Sequence, residues 1–180
     1  GGLDRADRGS GGIRLDDTEL GALGSTGLDR FRRPQVGFVF QFFHLLPELS
    51  VLENVLLSSM VGRGRFGFVR ERAELQARAK SVIEVGGLSH RVMHNPAELS
   101  GGERLRVAIA RALMNDPPVI LADEPTGNLD QKTGSGVLDA LSELRLATTD
   151  GRPRTMIMVT HDMRVAERAD RVVSIADGVV

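Results

Sequence analysis

Apolar residues in this chain fall into short continuous runs separated by stretches of helical spacing. "QVGFVF" (35–40), "VILAD" (119–123) and "TMIMVT" (155–160) are almost uninterrupted apolar runs, which predicts buried strands, and "RVVSIA" (171–176) reads as a further strand. "GIRLDD" (12–17) alternates like a short strand closing on a turn. "SVLENVLLSSM" (50–60) predicts a helix with Ser50 as cap and Glu53 three residues on. After a flexible link, "GRGRFGF" (62–68), the residues Leu75, Ala79, Val82 and Ile83 recur at helical spacing between Val69 and Val85. "HNPAEL" (94–99) is a loop set by Pro96. A helix from Ser100 to about Asn115 stops at Pro117-Pro118, Val137, Leu138, Leu141 and Leu144 mark another, and a short one separates the last two strands. Strands alternating with helices predict an α/β fold with a mostly parallel sheet. The two helices between residues 50 and 86 have no strand between them and suggest an inserted helical subdomain.

Composition narrows the picture little. The 180 residues suit one domain, with 41% hydrophobic and 26% charged residues. A formal net charge of −1 gives no global basic field for nucleic acid, and the absence of cysteine excludes a disulfide framework. No apolar run approaches the roughly 20 residues of a membrane span, and the N-terminus has no signal-peptide core.

The candidate chemistry sits where strands end. In parallel sheets, ligands bind beyond the carboxyl ends of the strands. Gln41 follows "VGFVF", Asp123-Glu124 closes "VILA", and His161 follows "MIMVT". A glutamine at a strand end, a lone histidine or an acid pair before Pro125 each has a bland reading as loop or turn. Three of them on one edge argue for a site. "LSGGE" (99–103) opens a helix: Ser100 and Glu103 fit a capping box, but a cap needs neither Gly101 nor Gly102. Each glycine costs about 1 kcal/mol relative to alanine inside a helix. Bare backbone at a helix N-terminus suits the approach of a phosphate.

Together "LSGGE", "VILADEP", "GNLD", "VTHD" and the glutamine after "VGFVF" resemble the nucleotide-binding subunits of ABC transporters, as signature, Walker B, D-loop, H-loop and Q-loop in that family's order. "VGFVFQFFHLLPELSVLENV" resembles most the branch of lipoprotein-release, macrolide-export and cell-division ATPases, the lipoprotein-release type foremost. The resemblance implies an α/β P-loop NTPase-like core with a helical subdomain over about 50–115, binding ATP and Mg2+. It implies that Asp123, with Gln41, serves Mg2+, that Glu124 is the general base, and that Gln41 and His161 face the γ-phosphate. It further implies that Ser100, Gly101, Gly102 and Glu103 contact ATP held by a second subunit, with Asp130 at that dimer interface. Transmembrane permease subunits would be the other partners, placing the chain on the cytoplasmic face of the membrane.

The same resemblance places the G-x-x-x-x-G-K-[ST] phosphate loop upstream of residue 1, so the 180 residues alone are expected to bind ATP weakly and to turn none over. "RGSGG" (8–12) and "GALGSTG" (21–27) lack its lysine and read as loops. Arg104 and Leu105 stand where two glutamines are usual. Two other readings compete. Chromosome-maintenance ATPases share these motifs but carry coiled coils between Q-loop and signature, where this chain has a 59-residue separation without heptads. A catalytically dead partner-binding module conflicts with intact Asp123, Glu124 and His161.

Overall fold

A computed structural model describes residues 12–61, 64–146, 148 and 151–176. Strands β1 (Arg14–Leu15) and β2 (Thr18–Glu19) form a small antiparallel hairpin. Helix α1 (Ser25–Gln35) leads into β3 (Val36–Val39). Helices α2 (Val51–Met60), α3 (Gly64–Val85) and α4 (Gly101–Leu113) follow, then β4 (Val119–Asp123), α5 (Gln131–Leu146), β5 (Thr155–Val159) and α6 (Met163–Ala166). The main sheet is parallel, in the order β3-β4-β5, with Val39 opposite Ala122 and Asp123 opposite Val159. All three carboxyl ends therefore open on one edge.

Two apolar clusters divide the interior. One lies between the sheet and helices α4 and α5, around Val39, Ile109, Ile120, Val137 and Leu141. The other joins α2, α3 and one face of α4, around Val51, Val55, Ala79, Ile83, Val107 and Met114. Helix α4 serves both because Leu105 and Ile109 face the first while Val107, Ala110 and Met114 face the second. Capping boxes start α2 and α4: Ser50 with Glu53, and Ser100 with Glu103.

Several expectations are corrected. Of the link expected over 62–68, residues from Gly64 onward belong to α3, while 62 and 63 lie outside the described residues. The glycine-rich run 21–27 is not all loop: α1 begins at Ser25. The run 8–12 lies outside the described residues except for Gly12. Strand β5 is not buried on both faces: Ile157 and Val159, which share one face with Thr155, are exposed. Residues 171–175 form no strand, and Val172, Val173 and Ile175 are exposed. Apolar content alone does not make a strand without a ladder to join.

Candidate functional site

The sheet edge gathers three of the residues expected there. Glu124, half-buried immediately beyond β4, holds a left-handed backbone (φ 39°), a conformation uncommon for a side chain other than glycine, asparagine or aspartate. Its amide N–H donates to the Val159 carbonyl at 2.9 Å, which fixes the turn against β5. One carboxylate oxygen lies 2.8 Å from His161 Nδ1, and the other accepts from Gln41 Nε2 at 3.5 Å, the outer limit of a hydrogen bond. Gln41 and His161 thus flank one carboxylate from two strands on either side of β4.

The electrostatics follow. The hydrogen bond that His161 donates to the Glu124 carboxylate, with that charge and the charge of Asp162 adding, raises the His161 pKa above its usual 6.5. Asp123 ends β4 with its side chain exposed. Gly127 closes the turn: a Cβ there would stand 3.2 Å from Glu124 Oε2 and 3.4 Å from Gln41 Nε2, so a bare position keeps the space between them open.

A residue that sequence reasoning passed over completes this cluster. Asn128 Nδ2 donates to the Gln41 carbonyl at 2.8 Å, tying the turn after β4 to the loop after β3. The two lie 87 residues apart, and "GNLD" marked Asn128 only as part of a motif.

The second half of the expected site is built at the start of α4. Ser100 Oγ accepts from the Glu103 N–H, and the Glu103 carboxylate accepts from the Ser100 N–H at 2.8 Å. Arg91 Nε donates to the same carboxylate at 3.2 Å. These bonds, the Ser100 backbone foremost and Arg91 last, depress the Glu103 pKa to about 2. The carboxylate of Glu103 is therefore occupied by its own helix cap and by Arg91. Ser100 is exposed, Gly101 half-buried and Gly102 buried.

The glycines have an intrachain packing role that the sequence did not reveal. A Cβ on Gly101 would meet Leu129 Cδ2 at 2.9 Å, and one on Gly102 would meet Thr133 Cγ2 at 2.5 Å. Asp130, exposed between these two neighbours, accepts from the Thr133 N–H at 3.0 Å and so starts α5. Arg104 turns back to donate to the Leu99 carbonyl, and Leu105 is wholly buried, which suits an apolar residue there.

The donor set fits Mg2+. Asp123, Glu124 and Gln41 offer hard oxygens, and among the described residues no cluster of three or more His, Cys, Asp or Glu forms a metal cage. Mg2+ is commonly held by one or two carboxylates plus phosphate oxygens and water, not by such a cage.

A parallel sheet that presents a glutamine, an acid pair and a histidine at the carboxyl ends of adjacent strands is of the α/β class, in which ligands bind at that edge. The comparisons with known proteins are more specific. A family profile described as "ABC transporter" matches residues 3–127. The lipoprotein-releasing system ATP-binding protein LolD 2 of Rhodopirellula baltica is 45% identical over 178 residues, 99% of this chain and 68% of that protein. The LolD protein of Syntrophotalea carbinolica is 46% identical over 178 residues, 99% of this chain and 73% of that protein. A dimeric post-hydrolysis structure of the ATP-binding cassette MJ0796 bound to ADP and Pi superposes with a TM-score of 0.76 at 38% identity, covering 98% of this chain and 73% of that one. The chain belongs to the ABC transporter family, as one of its ATP-binding domains.

Proposed function

We propose that this chain is the ATP-hydrolysing subunit of an ABC transporter of the lipoprotein-release type. The reading is supported by relatives named as lipoprotein-releasing ATP-binding proteins and by a similar cassette solved as a dimer with ADP and Pi. The single observation that carries it is the Glu124 carboxylate held between Gln41 and His161 at the sheet edge.

Phosphoryl transfer to water is largely positioning and charge stabilisation. Bound Mg2+ would neutralise charge on the β- and γ-phosphates. Asp123 would hold that ion through its water shell, with the Gln41 side-chain oxygen as a further ligand. Glu124 accepts the proton of the attacking water, and its left-handed backbone aims the carboxylate across the strand ends. His161 orients Glu124 and donates toward the γ-phosphate. Ser100, Gly101 and the free N–H groups at the start of α4 reach the γ-phosphate of ATP held by the second copy, where the helix dipole adds attraction. Glu103 contributes by fixing Ser100, and Asp130 lies on the dimer face. The segment over about 50–115 acts as a helical subdomain that passes motion of the Gln41 loop to transmembrane permease subunits, so the protein works at the cytoplasmic face of the membrane.

In the full-length chain, Glu124→Gln should abolish steady-state ATP hydrolysis while ATP affinity stays within about twofold, the signature of an interaction made in the transition state. Turnover equal to wild type would remove Glu124 from this role.

A further inference from the structure

A cavity of about 530 Å³ lies behind the Gln41 loop, between β3, α1, α2 and α4. Arg111, in the last turn of α4, lines it. Its guanidinium donates to two successive carbonyls of that loop, Nη2 to Phe43 at 2.5 Å and Nη1 to His44 at 2.6 Å. Both carbonyls belong to residues in the left-handed region (φ 60° and 46°), a strained pair that persists only where surrounding contacts hold it. Both of these acceptors are backbone carbonyls, and burial pushes the Arg111 pKa below the usual value. The two carbonyls are thus the charge-assisted acceptors of its partly buried guanidinium. Gly37 brings the helix within reach, since a Cβ there would stand 2.7 Å from the Ala112 carbonyl.

The geometry points to Arg111 as a positioning residue that fastens the Gln41 loop to α4, so that one rigid helix links Gln41 to the Ser100 cap at its other end. Gln41 stands two residues before Phe43, and Gly101 stands ten residues before Arg111, about 15 Å along the helix axis. In the proposed dimer these two ends serve different nucleotides. A displacement of Gln41 by one γ-phosphate is therefore transmitted to the grip on the other. This meaning rests on the function proposed above; the fastening itself does not.

The test uses the full-length chain with Arg111→Met and Arg111→Lys, read by amide hydrogen exchange over 41–46, by ATP affinity and by kcat. For Arg111→Met, exchange at Phe43 and His44 should rise about tenfold or more, as a local opening would give. Its kcat should fall about tenfold with ATP affinity within about twofold, which a general loss of fold would not produce. Lysine keeps the charge but cannot fork to both carbonyls, so Arg111→Lys should recover only part of kcat. Wild-type exchange and wild-type kcat in both variants would overturn the inference, and so would a loss of ATP affinity that accounts for all of the lost rate. If Arg111→Met does not fold, Arg111→Lys decides alone: reduced kcat at unchanged melting temperature supports the role, and wild-type kcat refutes it. Should the wild-type chain hydrolyse no ATP, the functional proposal fails, while exchange at Phe43 and His44 still decides whether Arg111 holds the loop.

Discussion

Thr133 packs directly on Gly102: a methyl at that glycine would stand 2.5 Å from Thr133 Cγ2, closer than any unstrained contact. Leu129 crowds Gly101 in the same way, but there the nearest atom is the end of a flexible side chain. Gly102→Ala should therefore destabilise by about 1–3 kcal/mol through overpacking. Gly101→Ala should cost less, because Leu129 can turn away and alanine favours a helix by about 1 kcal/mol. Thermal unfolding distinguishes the two. Adding Thr133→Ser, which removes the clashing methyl, should restore most of the stability lost in Gly102→Ala. No restoration would mean that Gly102 is required for some reason other than this contact.

The cap that begins α4 makes a prediction about acid. Glu103 has its pKa depressed from 4.5 to about 2, so its stabilising contribution is present above 4.5 and is lost as pH falls through that range toward 2. Glutamine keeps the capping geometry without the charge. The difference in melting temperature between wild type and Glu103→Gln should be greatest near neutral pH and vanish toward pH 2. Ser100→Ala should cost about 1 kcal/mol near neutral pH, as loss of an N-cap does.

His161 should titrate in the opposite sense. Its pKa is raised, chiefly by the hydrogen bond to Glu124, so the contact is complete below 6.5 and is lost as pH rises through the raised value. Nuclear magnetic resonance of the imidazole in the nucleotide-free protein should give a midpoint above 6.5, falling toward it in Glu124→Gln. A midpoint that does not move in the variant would separate the two side chains.

Asn128 offers a test of the junction between the strand ends. Asn128→Asp removes the donor to the Gln41 carbonyl and sets a charge against it. Turnover in the full-length chain should fall about tenfold, the equivalent of about 1.4 kcal/mol, with little change in melting temperature because the bond is exposed. Wild-type turnover would show that the Gln41 loop is held adequately by other contacts.

Apolar runs revealed the sheet because β3, β4 and β5 are each a short run of apolar residues, although only β4 buries most of its side chains, and the strand ends followed from those runs. The capping boxes of α2 and α4 were legible since their partners are three residues apart. What escaped depends on contacts distant in sequence. Nothing local marks Asn128 as a partner of Gln41, or Arg111 as a partner of Phe43 and His44 some 67 residues away. The tight seats of Gly101 and Gly102 depend on Leu129 and Thr133, and a sequence cannot show a Cβ clash. Residues 171–175 have the composition of a strand, but pairing requires a neighbouring edge that composition does not record. Arg30, Arg32 and Arg33 read as a solvated helix face, and they lie on α1, where Arg30 and Arg33 are exposed and Arg32 is half-buried.

The most direct measurement is the mass of the full-length Glu124→Gln chain in sedimentation velocity, with and without ATP and Mg2+. ATP should convert monomer to dimer, and Ser100→Arg, which crowds the start of α4 where the partner's γ-phosphate would sit, should leave it monomeric with ATP still bound. A dimer that forms equally well with Ser100→Arg would contradict a nucleotide shared between Glu124 of one copy and Ser100 of the other.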